Sequence, residues 1–230
     1  MGGDWFVMRK LIHVVNINNF FPELFALTYP TVKAYAERCG YLINVITERK
    51  FPDYPLHYEK FQVYEDGKEA EVNILCDADM LIHPQFPDVV TYLKRDSMAF
   101  NDNYNISWKY HVERIPYFMR DGRDVGIATN FVVTSDWTHD AWEPIPLSAK
   151  EIEDLAKKEV TENGDGYEGR GWGHYADEFA ISYNMAKYGL KYTGVTYEEW
   201  MRPWLVHTGT GNKNEALELA KKTLIEWNNL

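Results

Sequence analysis

The chain has 230 residues, with 24 Lys and Arg against 35 Asp and Glu and a formal net charge of −11. That length fits one domain spanning residues 1–230, and 45% hydrophobic with 15% aromatic content is enough for a full core. The acidic balance argues against a nucleic-acid partner, so any anionic ligand must be met locally, most economically through a bound cation.

Cys39 and Cys76 are too few for a disulfide framework and sit in apolar contexts that suit small buried thiols in a reducing compartment. Phe6 stands where an N-myristoylation pattern wants Ser or Thr, and no apolar stretch has signal-peptide or membrane-span character. The expectation is a soluble, cytoplasmic protein without a transmembrane segment.

In chain order, Leu11 to Ile17 reads as a first strand and Asn18 to Pro22 as the turn after it. Glu23 to Arg38 carries apolar residues at helical spacing, interrupted by Pro30, with Cys39-Gly40 as the stop before a strand from Leu42 to Thr47. A strand, helix, strand unit of this kind builds a parallel sheet, and ligands gather at the carboxyl ends of its strands. The Pro- and Tyr-rich passage Phe51 to Pro55 leads into a short helical stretch with Lys60.

Ile74-Leu75-Cys76-Asp77-Ala78-Asp79-Met80-Leu81-Ile82 is the most informative segment, an apolar run broken by two carboxylates. Ionised carboxylates cost several kcal/mol to desolvate unless they are paired or bind a cation. In an extended chain alternate side chains share a face, so Asp77 and Asp79 would point the same way from a strand's carboxyl end. Hard oxygen donors there favour manganese, magnesium or calcium over a soft-site metal.

Residues Phe86 to Lys94 read as helical, Met98 to Phe100 and Ile127 to Thr134 as strands, and Ser148 to Glu159 as an amphipathic helix. Thr161 to Gly173 holds five glycines and reads as a substrate-covering flap. Its Asn163-Gly164-Asp165-Gly166-Tyr167-Glu168 segment fails the ligand spacing of a calcium loop. Trp172-Gly173-His174 offers an indole platform for a sugar ring ahead of a helix from Ala176 to Ala186. Asp177 and Glu178 in its first turn suit either the helix dipole or a catalytic role. Trp108, Trp137, Trp172 and Trp204 lie in segments polar enough for surface positions.

Near the end, Leu205 to Lys213 is an apolar run that closes in a Gly-containing turn before a last helix. Gly209 would let backbone amides approach a phosphate, Lys213 would neutralise it, and His207 would complete a metal site.

The acidic pair in mid-chain and the His-to-Lys segment near the end together resemble the GT-A family of nucleotide-sugar-dependent glycosyltransferases, over most of the chain. The resemblance implies a single α/β domain with a Rossmann-like, mostly parallel central sheet flanked by helices. It implies Mn2+, or Mg2+, held by Asp77, Asp79 and His207 against the diphosphate of a UDP- or GDP-sugar donor, with Ala78 between the acids and Gly209 and Lys213 at the diphosphate. Val14-Val15-Asn16 would lie beside the nucleotide base, Lys60 would precede the metal strand, and Asn130 resembles a donor-side Asn without its following Gly. Asp177 and Glu178 resemble an acidic pair near a glycan, protein or lipid acceptor. The ending resembles the His-x-x-Gly-x-x-Lys of retaining glycogenin-like and bacterial galactosyltransferase-like enzymes, but its glycines fall two and four residues after His207.

Alternatives are a haloacid dehalogenase-like phosphatase with Asp77 as nucleophile and a non-catalytic carbohydrate-binding protein. The first places its Asp-x-Asp at the start of the chain, and the second would need no metal.

Overall fold

The computed structural model describes residues 9–103, 126–152, 154, 176–195, 204–209 and 212–228. β1 (Lys10–Val15) lies parallel to both β2 (Leu42–Ile46) and β3 (Val72–Asp77). β6 (Gly126–Ser135) runs antiparallel to β3 and to β5 (Ser97–Asn103), and β7 (Lys191–Val195) is parallel to β5. The sheet order is β2-β1-β3-β6-β5-β7, so five strands share one direction and β6 alone is reversed.

Helix α1 (Pro22–Cys39) makes the crossover from β1 to β2. It ends at Gly40, which takes the left-handed conformation (φ 73°) that only glycine adopts without strain, and its N–H returns to the Ala36 carbonyl. The helix runs unbroken through Pro30, where the spacing predicts an interruption. Buried Leu24 and Thr28 before the proline and Val32, Tyr35 and Ala36 after it hold both halves on the sheet, so packing outweighs the lost hydrogen bond.

Alternation along the strands divides the core between the two sheet faces. Ile12, Val14, Ile74, Cys76, Phe131 and Val133 pack with Val32 and Tyr35 of α1. Leu75 and Val132 face the other way, onto Tyr58, Phe61 and Trp142 and onto Phe179, Ala180 and Ile181 of α3 (Ala176–Tyr188), which follows the four-residue α2 (Val63–Asp66) in the helix count. A second, two-stranded sheet pairs β4 (Met80–Ile82) with β8 (Leu205–His207) in antiparallel register, Met80 opposite His207. Leu81 packs with Leu24 of α1 and with Ala216 and Ala220 of α4 (Lys213–Asn228).

Several sequence expectations are corrected. Between Phe86 and Lys94 only Val89–Thr91 forms a helical turn, because Pro87 disfavours helical geometry at Phe86 and the Asp88 side chain caps Val90 instead of joining a longer helix. The first strand stops at Val15, and Ile17–Asn19 forms a 3-10 turn with Asn18 and Asn19 at φ 55° and 50°. Trp204 is no surface residue: it packs partly buried against the apolar cluster under α1, beside His83 and Phe86. Cys76 is buried and Cys39 half-buried. Residues 149–152 are helical. The rest of that expected helix, the Thr161–Gly173 flap with its calcium-like segment, Trp108 and Trp172-Gly173-His174 lie outside the described residues. No helix among the described residues is long and apolar enough to cross a membrane.

Candidate metal and nucleotide site

Asp77 is the last residue of β3, and Asp79 lies in the two-residue turn that turns the chain into β4. The acids therefore do not share one strand. They converge because β4 leaves the main sheet to pair with β8, which sets His207 opposite Met80. One ligand atom each from Asp77, Asp79 and His207 lie within 4.8 Å of one another. The turn is held from two sides: the Thr28 hydroxyl donates to the Ala78 carbonyl (2.5 Å), and the Thr208 amide and hydroxyl both donate to the Asp79 carbonyl (3.0 and 2.7 Å).

Gly209 passes so close that a Cβ there would strike Asp79 Oδ2 and come within 2.8 Å of His207 Nε2. Two carboxylates and an imidazole are a donor set for a hard-to-borderline divalent ion, and the space kept open by Gly209 fits such an ion. Burial, with Asp79 nearby, pushes the Asp77 carboxyl up despite Lys60. Burial also opposes an ionised Asp79, but the hydrogen bond and charge of His207 outweigh it and hold that carboxyl down. His207 is raised in turn, since its bond to Asp79 (3.4 Å) overcomes the burial that would lower it. Asp79 thus has its counter-charge in His207, whereas the raised Asp77 would gain from the further positive charge that a cation supplies.

Lys60 enters from the 3-10 turn Leu56–Gln62 that follows β2. Its ammonium contacts Asp77 Oδ1 and Asp177 Oδ2, both at 2.8 Å, and donates to the Thr129 carbonyl at 3.1 Å. Asp177, at the start of α3, also accepts from the Thr129 hydroxyl (2.7 Å). Burial works against its charge, but Lys60, with His57 and Thr129, holds the carboxyl below its usual range. Glu178 is shifted the other way: burial, and then the charge of Asp177, push it well above the usual range. Asn130 Oδ1, Asp177 Oδ1 and Glu178 Oε2 are buried acceptors that have no hydrogen-bond partner in the structure.

A cavity of about 390 Å3 opens over these groups. Asp77, Ala78, Asp79, Lys60, Gly209 and Lys213 line it together with Val15, Asn16, Ile17, Phe20 and Phe21. The Lys213 ammonium lies 5.3 and 5.0 Å from the Phe20 and Phe21 ring centres. Of the sequence-predicted metal and donor-side residues, Val15, Asn16, Lys60, Asp77, Ala78, Asp79, Gly209 and Lys213 line this cavity; His207 stands behind it against Asp79, Asn130 is not in its wall, and of Asp177 and Glu178, which do not line it either, Asp177 is joined to it by Lys60.

Thr129 and Thr208, which fix Lys60 and Asp79, carry no sequence signal. The family resemblance singles out Asn130, but the β5–β6 register jumps between Phe100, opposite Val132, and Asn101, opposite Ala128. Residues 129–131 thus bulge from the β5–β6 ladder while Phe131 stays opposite Cys76 of β3, and no residue pattern announces the bulge.

The fold, a mostly parallel sheet whose third strand ends in an acidic turn closed by a histidine from a second small sheet, is shared with a solved glycosyltransferase. The crystal structure of a glycosyltransferase involved in the glycosylation of the major capsid of PBCV-1 superposes with a TM-score of 0.53 at 11% identity, over 93% of this chain and 99% of that one. The galactosyltransferase LgtC, in complex with donor and acceptor sugar analogs, matches at TM-score 0.41 and 10% identity over 80% of this chain and 73% of its own. No protein-family model and no curated protein sequence matches the chain.

Proposed function

We propose that the protein is a divalent-metal-dependent glycosyltransferase, moving a sugar from a UDP- or GDP-sugar to an acceptor hydroxyl on a glycan, protein or lipid. The observation that carries this reading is the meeting of Asp77, Asp79 and His207 within 4.8 Å, where the two acids line a cavity that also holds Lys213 and Asn16. Asp77, Asp79 and His207 would hold Mn2+ or Mg2+, which supplies Lewis-acid neutralisation of the leaving diphosphate.

The chain's own groups then have definite tasks. Lys213 contacts the diphosphate as its charge grows, and Gly209 lets the backbone approach it. The apolar wall of Ile17, Phe20 and Phe21, with Val15 and Asn16 beside it, receives the base and excludes water from it. In an inverting transfer Asp177 or Glu178 would accept the acceptor's proton; in a retaining one neither is needed as base. Of the two, Asp177 is already bound to Lys60 and Thr129, which lowers its basicity, whereas burial raises that of Glu178. The phosphatase alternative fares worse, because both Asp77 oxygens lie within 3.2 Å of Lys60 and a nucleophile held in that way is blunted.

Calorimetric titration with UDP and with GDP, each with and without Mn2+, on the wild type and on Asp79→Ala, tests the proposal. One nucleotide is expected to bind only with both metal and Asp79. Metal-independent sugar binding, or phosphomonoester turnover without nucleotide binding, would refute it.

A further inference from the structure

We propose that Lys60 is the resident counter-ion of the metal site: it occupies Asp77 so that a divalent cation binds weakly alone and tightly only together with a diphosphate. The inference rests on the metal-site reading above. It begins from a buried ammonium, only 3% exposed, whose three N–H groups are used up by Asp77, Asp177 and the Thr129 carbonyl. Its contact with Asp77 reaches both oxygens, Oδ1 at 2.8 Å and Oδ2 at 3.2 Å, so the carboxylate that a cation needs is already partly neutralised.

The charge count gives this contact a consequence. Asp77 and Asp79 offer a cation two carboxylates, and Lys60, whose charge Asp177 shares, holds both oxygens of one of them at hydrogen-bond distance. A lone divalent ion therefore finds one of its two carboxylates already engaged and the site short of available charge. A diphosphate carries the missing charge in with it and finds Lys213 on the same cavity wall. Metal and nucleotide then favour each other's binding, and by linkage each strengthens the other to the same extent. Asp177 is the device's other half. Its Oδ2 holds the ammonium at 2.8 Å and the Thr129 hydroxyl holds Asp177 at 2.7 Å, so Lys60 cannot swing out of the way when a cation arrives. On this reading Lys60 is a positioning residue that acts through Asp77.

The test is Mn2+ titration, followed by the electron paramagnetic resonance of the free ion, with and without UDP and GDP. It uses the wild type, Lys60→Met, and Lys60→Met combined with Asp177→Asn. The double variant removes one charge of each sign and keeps the side-chain volumes, so it folds even where the single variant, left with two unpaired buried carboxylates, does not. Mn2+ alone is expected to bind the double variant at least tenfold more tightly than the wild type, and the tightening produced by the nucleotide should shrink by the same factor. A purely structural lysine would leave the affinity for Mn2+ alone unchanged or weakened; that outcome, with nucleotide-dependent Mn2+ binding intact in the wild type, overturns the counter-ion role and leaves the transferase reading standing. A wild type that binds no Mn2+ even with UDP or GDP overturns both.

Discussion

The candidate metal site depends on the side chain that Gly209 lacks. Gly209 lies against Asp79 and His207, and any side chain there must displace one of them. Gly209→Ala is therefore expected to lower Mn2+ affinity in the presence of nucleotide by at least tenfold, while the midpoint of thermal unfolding stays within a few degrees because no buried core atom is lost. A variant that binds Mn2+ like the wild type would show that His207 and Asp79 do not work as a pair. Asp77 and Asp79 stood out by residue type, since two carboxylates inside an apolar run demand a partner, whereas His207 was tied to them by the family resemblance. Thr129 and Thr208 were not, because a hydroxyl on a buried strand end is ordinary until its neighbours are known. The tryptophans make the same point: Trp204 looked exposed from its polar neighbours but packs beside Phe86, whereas Trp137, 60% exposed under the Arg95 guanidinium, does face solvent.

At the scale of elements, helical periodicity made α1 readable, and continuous apolar runs marked β1, β3 and β6, of which β1 and β3 are buried on both faces. What it could not show was the partition of one apolar run into two sheets. Ile74 to Ile82 reads as an apolar run that two carboxylates break at a strand's carboxyl end; Asp77 closes β3 there, Met80 opens β4, and only β8, some 125 residues later, explains why Met80, Leu81 and Ile82 are apolar. Leu81 is the pin of that arrangement, fully buried against Leu24, Ala216 and Ala220 from α1 and α4. Leu81→Ala should cost about 2–5 kcal/mol in urea unfolding. It should also weaken nucleotide-dependent Mn2+ binding although it touches no ligand group, because β4 and β8 together place His207. A stability loss with unaltered Mn2+ affinity would mean that His207 is positioned by the Thr208 contacts alone.

For the molecule as a whole, acidity threatens stability through its interior as well as through its acidic surface. His13 is completely buried in the middle of β1. Its Nε2 meets Asn73 Oδ1 at 2.8 Å, and its Nδ1 accepts from the Asn44 amide at 3.2 Å, an arrangement that suits the neutral ring. Asn44 donates in turn to Asp66 at 3.0 Å, and His139 donates from its other side to the Tyr64 carbonyl at 2.8 Å, so β1, β2, β3 and α2 all share one polar network. Burial lowers the His13 pKa from 6.5 to about 4; the Asn73 bond and the Asp66 charge pull it back up, and His139 lowers it further. Between those two values the unfolded chain binds a proton that the folded chain refuses, so stability rises with pH across that window and is lost as pH falls through it. The loss from this residue amounts to about 3 kcal/mol at pH 4, a large share of a typical domain's margin. Urea unfolding at pH 7 and pH 4 should therefore show a markedly smaller acid-induced loss in His13→Gln than in the wild type, although the variant starts less stable at pH 7. An equal loss in both proteins would place the acid sensitivity in the surface carboxylates instead.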